Sequence, residues 1–400
     1  MNMTTHLERQ AVQAGGTAES THILVTVNQA WNIWNFRRAV IQALLEDGHR
    51  VTVLAPPDAT VPNLERMGCA FIPLAMDSKG LNPLRDLALL RRMRAMFSAH
   101  RPDVILSYTI KNNIYGALAA RSLRIPFLPN VSGLGTAFLS QGLLRRVAEG
   151  LYRAAFASVP AVFFQNGEDR ALFIERRLVR EDQARLLPGS GIDLERFAPA
   201  DYPLADAPPV FLLIARLLRD KGVHEFVEAA GLVKQIHPGA RFQLLGAVDA
   251  QNRTAIDRVT VTAWEQSGAV EYLGTCDDVR EHIAPANCVV LPSYREGAPR
   301  TLIEAAAMAR PLIATDVPGC RSVVEDGVNG FLCEVRSGKS LAQACLRFLA
   351  LPREQQAALG RAGRTKMERE FGEARVIAAY RQPIAESLGR TRSQLKGAFA

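Results

Sequence analysis

Residues 22–55 read HILVTVNQAWNIWNFRRAVIQALLEDGHRVTVLA, and the fold is decided there. His22 to Val27 is an apolar, β-branched run. Positions 35–46 then carry Phe36, Val40, Ala43 and Leu44 at helical spacing, with Gly48 where helices commonly stop. Val51 to Ala55 is a second β-branched run. Strand, helix and strand within about thirty residues form the βαβ unit of a parallel sheet. Its right-handed crossover puts the loop after the first strand at the sheet's C-terminal edge.

Working outward, Val104–Ser107, Phe127–Val131 and Val162–Gln165 read as further short strands between segments of helical composition. From Phe197 to Pro209 the chain reads FAPADYPLADAPP, too rich in proline for a helix or a central strand, and an interdomain linker is expected there. A second series follows: Val210–Ile214, a helix from Val223, then Arg241–Leu245, Val270–Leu273, Cys288–Leu291, Pro311–Ala314 and Gly330–Cys333. The expected architecture is α/β, with two Rossmann-like, doubly wound domains. A disordered tail (1–20) precedes an N-terminal domain (21–196), the linker (197–209) and a C-terminal domain (210–370). The closing stretch Glu354–Leu388 is helical in composition with its register broken near Gly372, and residues 371–390 are expected to pack back across the linker.

Four hundred residues with 48% hydrophobic content suffice for two domains, each with its own core. The six cysteines are scattered, with no C-x-x-C pair and no histidine at ligand spacing, so neither a zinc site nor a disulfide framework is signalled. The first twenty residues are polar, and the most apolar later stretch, Leu151 to Phe164, is too short for a span and carries Arg153. A cytoplasmic protein is expected. Its net charge of +8 is concentrated: Arg85 to Arg153 holds eleven basic residues against three acids, Asp86, Asp103 and Glu149. Such a patch serves nucleic acid, an anionic membrane, an acidic substrate or simply a solvated face, and charge does not choose among them. No helix-turn-helix, zinc or aromatic-platform motif accompanies it, which disfavours nucleic acid.

The chemistry concentrates in YREGAPRTLIEAAAMAR, residues 294–310, which follows an apolar strand and sets Pro299 near the first position of a helix. A helix N-terminus offers unpaired N–H groups to an anion. Glu296 lies in the loop and Glu304 one to two turns into the helix, so both can face one ligand. Carboxylates accept paired hydrogen bonds from vicinal diols, suiting Glu304 to a ribose and Glu296 to sugar hydroxyls. A carboxylate pairing within its own helix is the alternative at 304. After Val210–Ile214 comes ARLLRDKG, residues 215–222; Arg216 and Lys221 leave the same sheet edge, where two cations can neutralise a leaving diphosphate.

EGAPRTLIEA, ARLLRDKG and LPGSGID resemble the family 4 retaining glycosyltransferases, and the resemblance runs from about Ile23 to the final helix. NQAWNIWNFR, YTIKNNIYGALAA, NVSGLGTAF, FQNGEDR and TDVPGCRSVVEDGVNGFL resemble a bacterial branch that extends lipid-linked oligosaccharides and surface polysaccharides, often with N-acetylhexosamines. The resemblance implies GT-B architecture, with the two domains facing each other across a cleft. It implies a nucleoside-diphosphate sugar as co-substrate, UDP-linked in the first instance, and no cofactor. Arg216 and Lys221 would bind the diphosphate, Glu304 the ribose and Glu296 the transferred sugar. Backbone amides of Gly297, Ala298, Pro299 and Arg300 would adjoin sugar and phosphate, Pro299 contributing through its neighbours. Asn28 and Asn32 of the first loop would lie across the cleft near the acceptor.

Two departures from the family pattern stand out. Trp31, Asn32 and Trp34 replace a glycine-rich first loop, and Ser132, followed by Gly133, stands where many members carry a cleft histidine. Ser132, Lys111 and Asn112 are candidate polar contacts, or else local turn and cap residues.

No carboxylate announces itself as a covalent nucleophile. The resemblance implies a front-face reaction in which the leaving diphosphate takes the acceptor's proton. Asp277-Asp278 has no D-x-D spacing, and metal independence is expected. A polyprenyl-diphosphate-linked acceptor and peripheral association with the anionic inner leaflet are the expected partners. The alternatives are a non-catalytic nucleotide-sugar-binding or membrane scaffold protein and a nucleotide-sugar epimerase of the same fold.

Overall fold

The structure is a computed structural model describing residues 20–77, 82–134, 142–204, 206–248 and 254–398. Residues 1–19 of the expected tail, and Gly135 to Phe138 of NVSGLGTAF, lie outside them.

The first half alternates β1 (His22–Thr26), α1 (Ala30–Phe36), α2 (Arg38–Glu46), β2 (Arg50–Ala55), α3 (Val61–Arg66), β3 (Ala70–Pro73), α4 (Pro83–His100), β4 (Val104–Tyr108), α5 (Ile110–Leu123), β5 (Phe127–Val131), α6 (Leu143–Phe156), β6 (Val162–Phe164), α7 (Gly167–Glu175) and β7 (Ala184–Leu186). The second runs β8 (Val210–Ile214), α8 (Val223–Ile236), β9 (Arg241–Leu245), α9 (Arg258–Gln266), β10 (Glu271–Tyr272), α10 (Arg280–Ile283), β11 (Cys288–Leu291), α11 (Arg300–Ala307), β12 (Leu312–Thr315), α12 (Cys320–Val323), β13 (Gly330–Cys333), α13 (Gly338–Leu349), α14 (Arg353–Lys366) and α15 (Glu373–Ala398).

Two parallel sheets result, ordered β3-β2-β1-β4-β5-β6-β7 and β10-β9-β8-β11-β12-β13. Strand order reverses beside β1 and β4 in the first and beside β8 and β11 in the second, and ligands of such sheets bind at these switch points. Every residue of β1 is buried, as the apolar run requires when helices cover both faces.

The single helix expected over 35–46 is two. It starts five residues earlier and breaks at Arg37 (φ −132°), whose buried guanidinium carbon lies 4.6 Å from the Tyr108 ring centre. β3 (AFIP) and β7 (ARL) were not expected. Both are edge strands with exposed positions: β7 is three residues long and carries Arg185, whereas β3 lies in an apolar stretch, Cys69–Met76, that Pro73 interrupts as a proline does only at a sheet edge.

The chain crosses between the domains twice, side by side. Ile192 N–H donates to the Phe371 carbonyl (2.9 Å), and Glu373 N–H donates to the Ile192 carbonyl (3.2 Å). A π-helical turn, Met367–Phe371, ends at Gly372, and α15 then returns to the first domain, burying Val376, Tyr380 and Ile384 among Ile23, Val25 and Tyr108. Arg310, fully buried, binds the linker to the second domain by donating to the carbonyls of Ala200, Asp201, Ile283, Ala284 and Ala309.

Candidate functional site

β8 delivers the chain to the sheet's C-terminal edge, where Arg216 is exposed, and one 3-10 turn, Arg219–Lys221, leads into α8 through Gly222. Gly222 has φ +71°, and a Cβ there would collide with the Pro292 carbonyl, so glycine alone permits the β8 and β11 loops to pack this tightly. The contact is sealed by the Tyr294 N–H donating to the Asp220 carbonyl at 2.9 Å. Two residues 75 positions apart thereby meet: Lys221 Nζ donates to Glu296 Oε1 at 2.5 Å. Both side chains are mostly shielded, at 25% and 13% exposed. The pair has enough access to exchange partners and enough shielding for its charges to act on a ligand.

Helix α11 begins after Pro299, and no side chain caps it, which leaves its first N–H groups without side-chain acceptors. Thr301 Oγ1 donates to the Ile214 carbonyl at 3.1 Å and holds this helix start against β8. Glu304 pairs within its own helix, accepting from Arg300 Nε at 2.7 Å. Burial raises the Glu304 carboxyl above its ordinary value, and the Arg300 guanidinium pulls it back down. Arg300 also donates to Ser190 Oγ (3.2 Å) and lies 5.5 Å from the Phe36 ring centre, so it links α11 to the first domain. Beside it lies a cavity of about 360 Å³ lined by Trp31, Trp34, Phe36, Arg196, Asp277 and Arg300 among others.

Across the cleft, Ser132 and Gly133 follow β5, and a Cβ on Gly297 would collide with the Ser132 carbonyl oxygen. Ala298 Cβ likewise lies close under Gly189. Asn28 and Asn32 sit half-buried at the first loop and on α1, and Asn28 Oδ1 is shielded without a hydrogen-bond partner among the described residues. Lys111 and Asn112 take internal partners. Lys111 Nζ donates to Asp86 Oδ1 at 2.8 Å, and Tyr115 donates to the same carboxylate. Asn112, fully buried, donates to Thr26 Oγ1 and accepts from Thr109 Oγ1. They fasten α5 to α4 and β1. Thr109 has φ 72° and ψ 150°, a conformation that disfavours a β-branched residue, at the edge of the same cleft.

Sequence reasoning did not single out Asn166, Asp169 or Arg295, which join the domains, nor Arg196 beside the cavity. The signal available was the FQNGEDR stretch itself, in which Asn166 and Asp169 have the spacing of a helix cap and its partner, and the position of Arg295 beside Glu296. Among the described residues no group of three or more His, Cys, Asp and Glu is placed to hold a metal ion.

The Glycosyl transferases group 1 model matches residues 208–350, and the Glycosyl transferase 4-like domain model matches residues 33–190. The chain is 30% identical over 328 residues to the N,N'-diacetylbacillosaminyl-diphospho-undecaprenol alpha-1,3-N-acetylgalactosaminyltransferase of Campylobacter jejuni, spanning 78% of this chain and 85% of that one. It is 24% identical to the UDP-Gal:alpha-D-GlcNAc-diphosphoundecaprenol alpha-1,3-galactosyltransferase of Escherichia coli over 66% of this chain and 72% of that one. The crystal structure of Anabaena HepE in complex with UDP-glucose superposes with a TM-score of 0.72 at 20% identity, over 92% of this chain and 99% of that one, and shows the shared fold.

Proposed function

The chain belongs to the group 1 glycosyl transferases, and on that premise we propose that it moves an N-acetylhexosamine or related hexose, with retention, from a UDP-linked donor to a saccharide carried on a polyprenyl diphosphate in bacterial glycan biosynthesis. The observation that carries the reading is the Lys221–Glu296 pair at the edge of the second sheet, with Glu304 on the helix just beyond it. The relatives' own substrates, lipid diphosphate saccharides and in one case a UDP-sugar, support the substrate classes.

In this reading Glu304 accepts from the ribose hydroxyls, Arg216 and Lys221 hold the diphosphate, and Glu296 accepts from the sugar. The bond from the anomeric carbon to the diphosphate oxygen breaks as the acceptor oxygen bonds to the same face. The departing oxygen takes the acceptor proton. Arg216 and Lys221 stabilise the charge that develops on it, a role otherwise open to a metal ion, so the reaction is proposed to need none.

The first domain is proposed to dock on an anionic bilayer. On α4, Leu84 and Leu87 are 79% and 43% exposed beside exposed Arg85, Arg91 and Arg94, and on α6 Val147 is 51% exposed beside Arg146. Leu89, Met93 and Phe97 fill the core, so α4 presents a second, outward apolar set. Each basic residue near such a surface contributes about 1 kcal/mol. No helix among the described residues is long and apolar enough to cross a membrane.

The test is transfer from a panel of UDP-sugars to synthetic polyprenyl-diphosphate saccharides, with anomeric configuration read by NMR. Product of retained configuration supports the reading. Absence of transfer from every UDP-sugar, with no thermal stabilisation by UDP, sinks it.

A further inference from the structure

One helix of the first domain grips the loop that carries Glu296. Asn166 caps α7: its Oδ1 accepts the Asp169 N–H at 2.8 Å, and its Nδ2 donates across the cleft to the Gly297 carbonyl, also at 2.8 Å. The second acceptor of that amide is Asp169 Oδ2, at 3.1 Å. Asp169 is 1% exposed and accepts from the Arg295 guanidinium. A more exposed pair lies beside them, Arg321 Nε donating to Glu168 Oε1 at 3.2 Å. Gly297 abuts the Ser132 carbonyl with no room for a Cβ, and Gly319 (φ +83°) packs as closely on the carbonyls of Glu296 and Gly297. The neighbours of Glu296 on both sides are therefore held from the opposite domain, while Glu296 itself reaches Lys221 in its own.

We propose that Asn166 and Asp169 are positioning residues for the transfer step: by holding Gly297 and Arg295 they set the Glu296 carboxylate at the donor's sugar end only when the two domains are closed on each other. The proposal rests on the assignment of Glu296 to the transferred sugar. The two contacts differ in what they contribute. Removing one partner of a buried ion pair leaves the other charge desolvated and uncompensated, so loss of the Asp169 charge disfavours the closed arrangement that shields Arg295. The Asn166 amide is directional and fixes the carbonyl that follows Glu296. Catalytic geometry is sensitive at this scale, since a misplacement of about 1 Å costs about a hundredfold in rate.

Two variants separate this role from simple stability. Asn166→Ser keeps a side-chain oxygen to cap α7 but is too short to reach Gly297, and Asp169→Asn keeps size while removing the charge that Arg295 meets. In both, kcat is expected to fall at least about tenfold while the Kd for UDP stays within about twofold, because Lys221, Arg216 and Glu304 all belong to the other domain. Small-angle scattering of the unliganded chains is expected to give a larger radius of gyration for the variants than for the wild type. Wild-type kcat in either variant overturns the proposal. So does a loss of UDP affinity matching the loss of kcat, or scattering identical to wild type. Wild-type protein that transfers no sugar refutes the assigned reaction instead, and the scattering comparison then judges the interdomain grip by itself.

Discussion

Lys221 and Glu296 neutralise one another across the loops of β8 and β11, Nζ to Oε1 at 2.5 Å, although one is assigned to phosphate and the other to sugar. Each is the other's counterion until a donor arrives, and a diphosphate must compete with Glu296 for the ammonium.

Glu296→Gln should therefore leave UDP affinity equal to or tighter than wild type while kcat falls about a hundredfold through the lost sugar contact. Lys221→Met should do the opposite at the binding step, weakening UDP about tenfold, the loss of one charge-assisted contact. Calorimetric titration with UDP beside initial rates checks both; a parallel loss of UDP affinity in Glu296→Gln would contradict the competition.

The Glu304 carboxyl is raised above 4.5 by burial and lowered again by Arg300. A raised folded value means that ionisation opposes folding, so this group's contribution to stability is greatest below the unfolded value and falls as pH rises through the folded one. In the proposed role, Glu304 accepts from the ribose in its ionised form. Arg300→Met removes the lowering partner, so the variant's UDP affinity should rise with pH over a higher range than the wild type's, with the larger deficit on the acid side. Titrations between pH 5.5 and 8.5 with superimposable pH dependence for the two proteins would rule this out.

With Arg216 and Lys221 assigned to the charge on the leaving diphosphate, transfer should persist in excess EDTA. Loss of activity restored by Mg²⁺ or Mn²⁺ would show that the cations do not suffice.

Vesicles containing acidic lipid should co-sediment the protein at low salt and release it at high salt, because screening weakens exposed charge contacts. Leu84→Glu with Leu87→Glu should weaken that binding and leave UDP affinity unchanged. Equal failure to bind acidic and neutral vesicles at low salt would make the basic stretch a solvated face.

Arg310 is buried, and burial lowers its guanidinium to about 10. Its hydrogen-bond acceptors are all carbonyls, so Arg310→Met leaves several buried acceptors unsatisfied at about 1–3 kcal/mol each before relaxation. A loss of about 3 kcal/mol is expected, read as a lower urea midpoint. A midpoint unchanged from wild type would mean that water replaces the guanidinium.

The parallel sheets were legible because their central strands are buried on both faces. HILVTV, VFLLI and CVVL are contiguous apolar runs, and the observed strands coincide with them to within a residue. The spacing of Glu296 and Glu304 was equally local, since a loop followed by a helix determines where both stand. The alternative at Glu304, a pair within the helix, is present too, because Arg300 is one turn away.

Local composition and periodicity thus specify two doubly wound domains, the linker's proline-rich character, and which loops reach the sheet edges. Tertiary structure alone decided who meets whom. Lys221 finds Glu296 across 75 residues, Lys111 turns to Asp86 on a neighbouring helix, and Asn166 reaches Gly297 across 131. The edge strands β3 and β7 exist because a neighbouring strand offers its free hydrogen-bonding side. Such contacts leave no period in the chain, because they depend on how two separately formed layers are packed and closed.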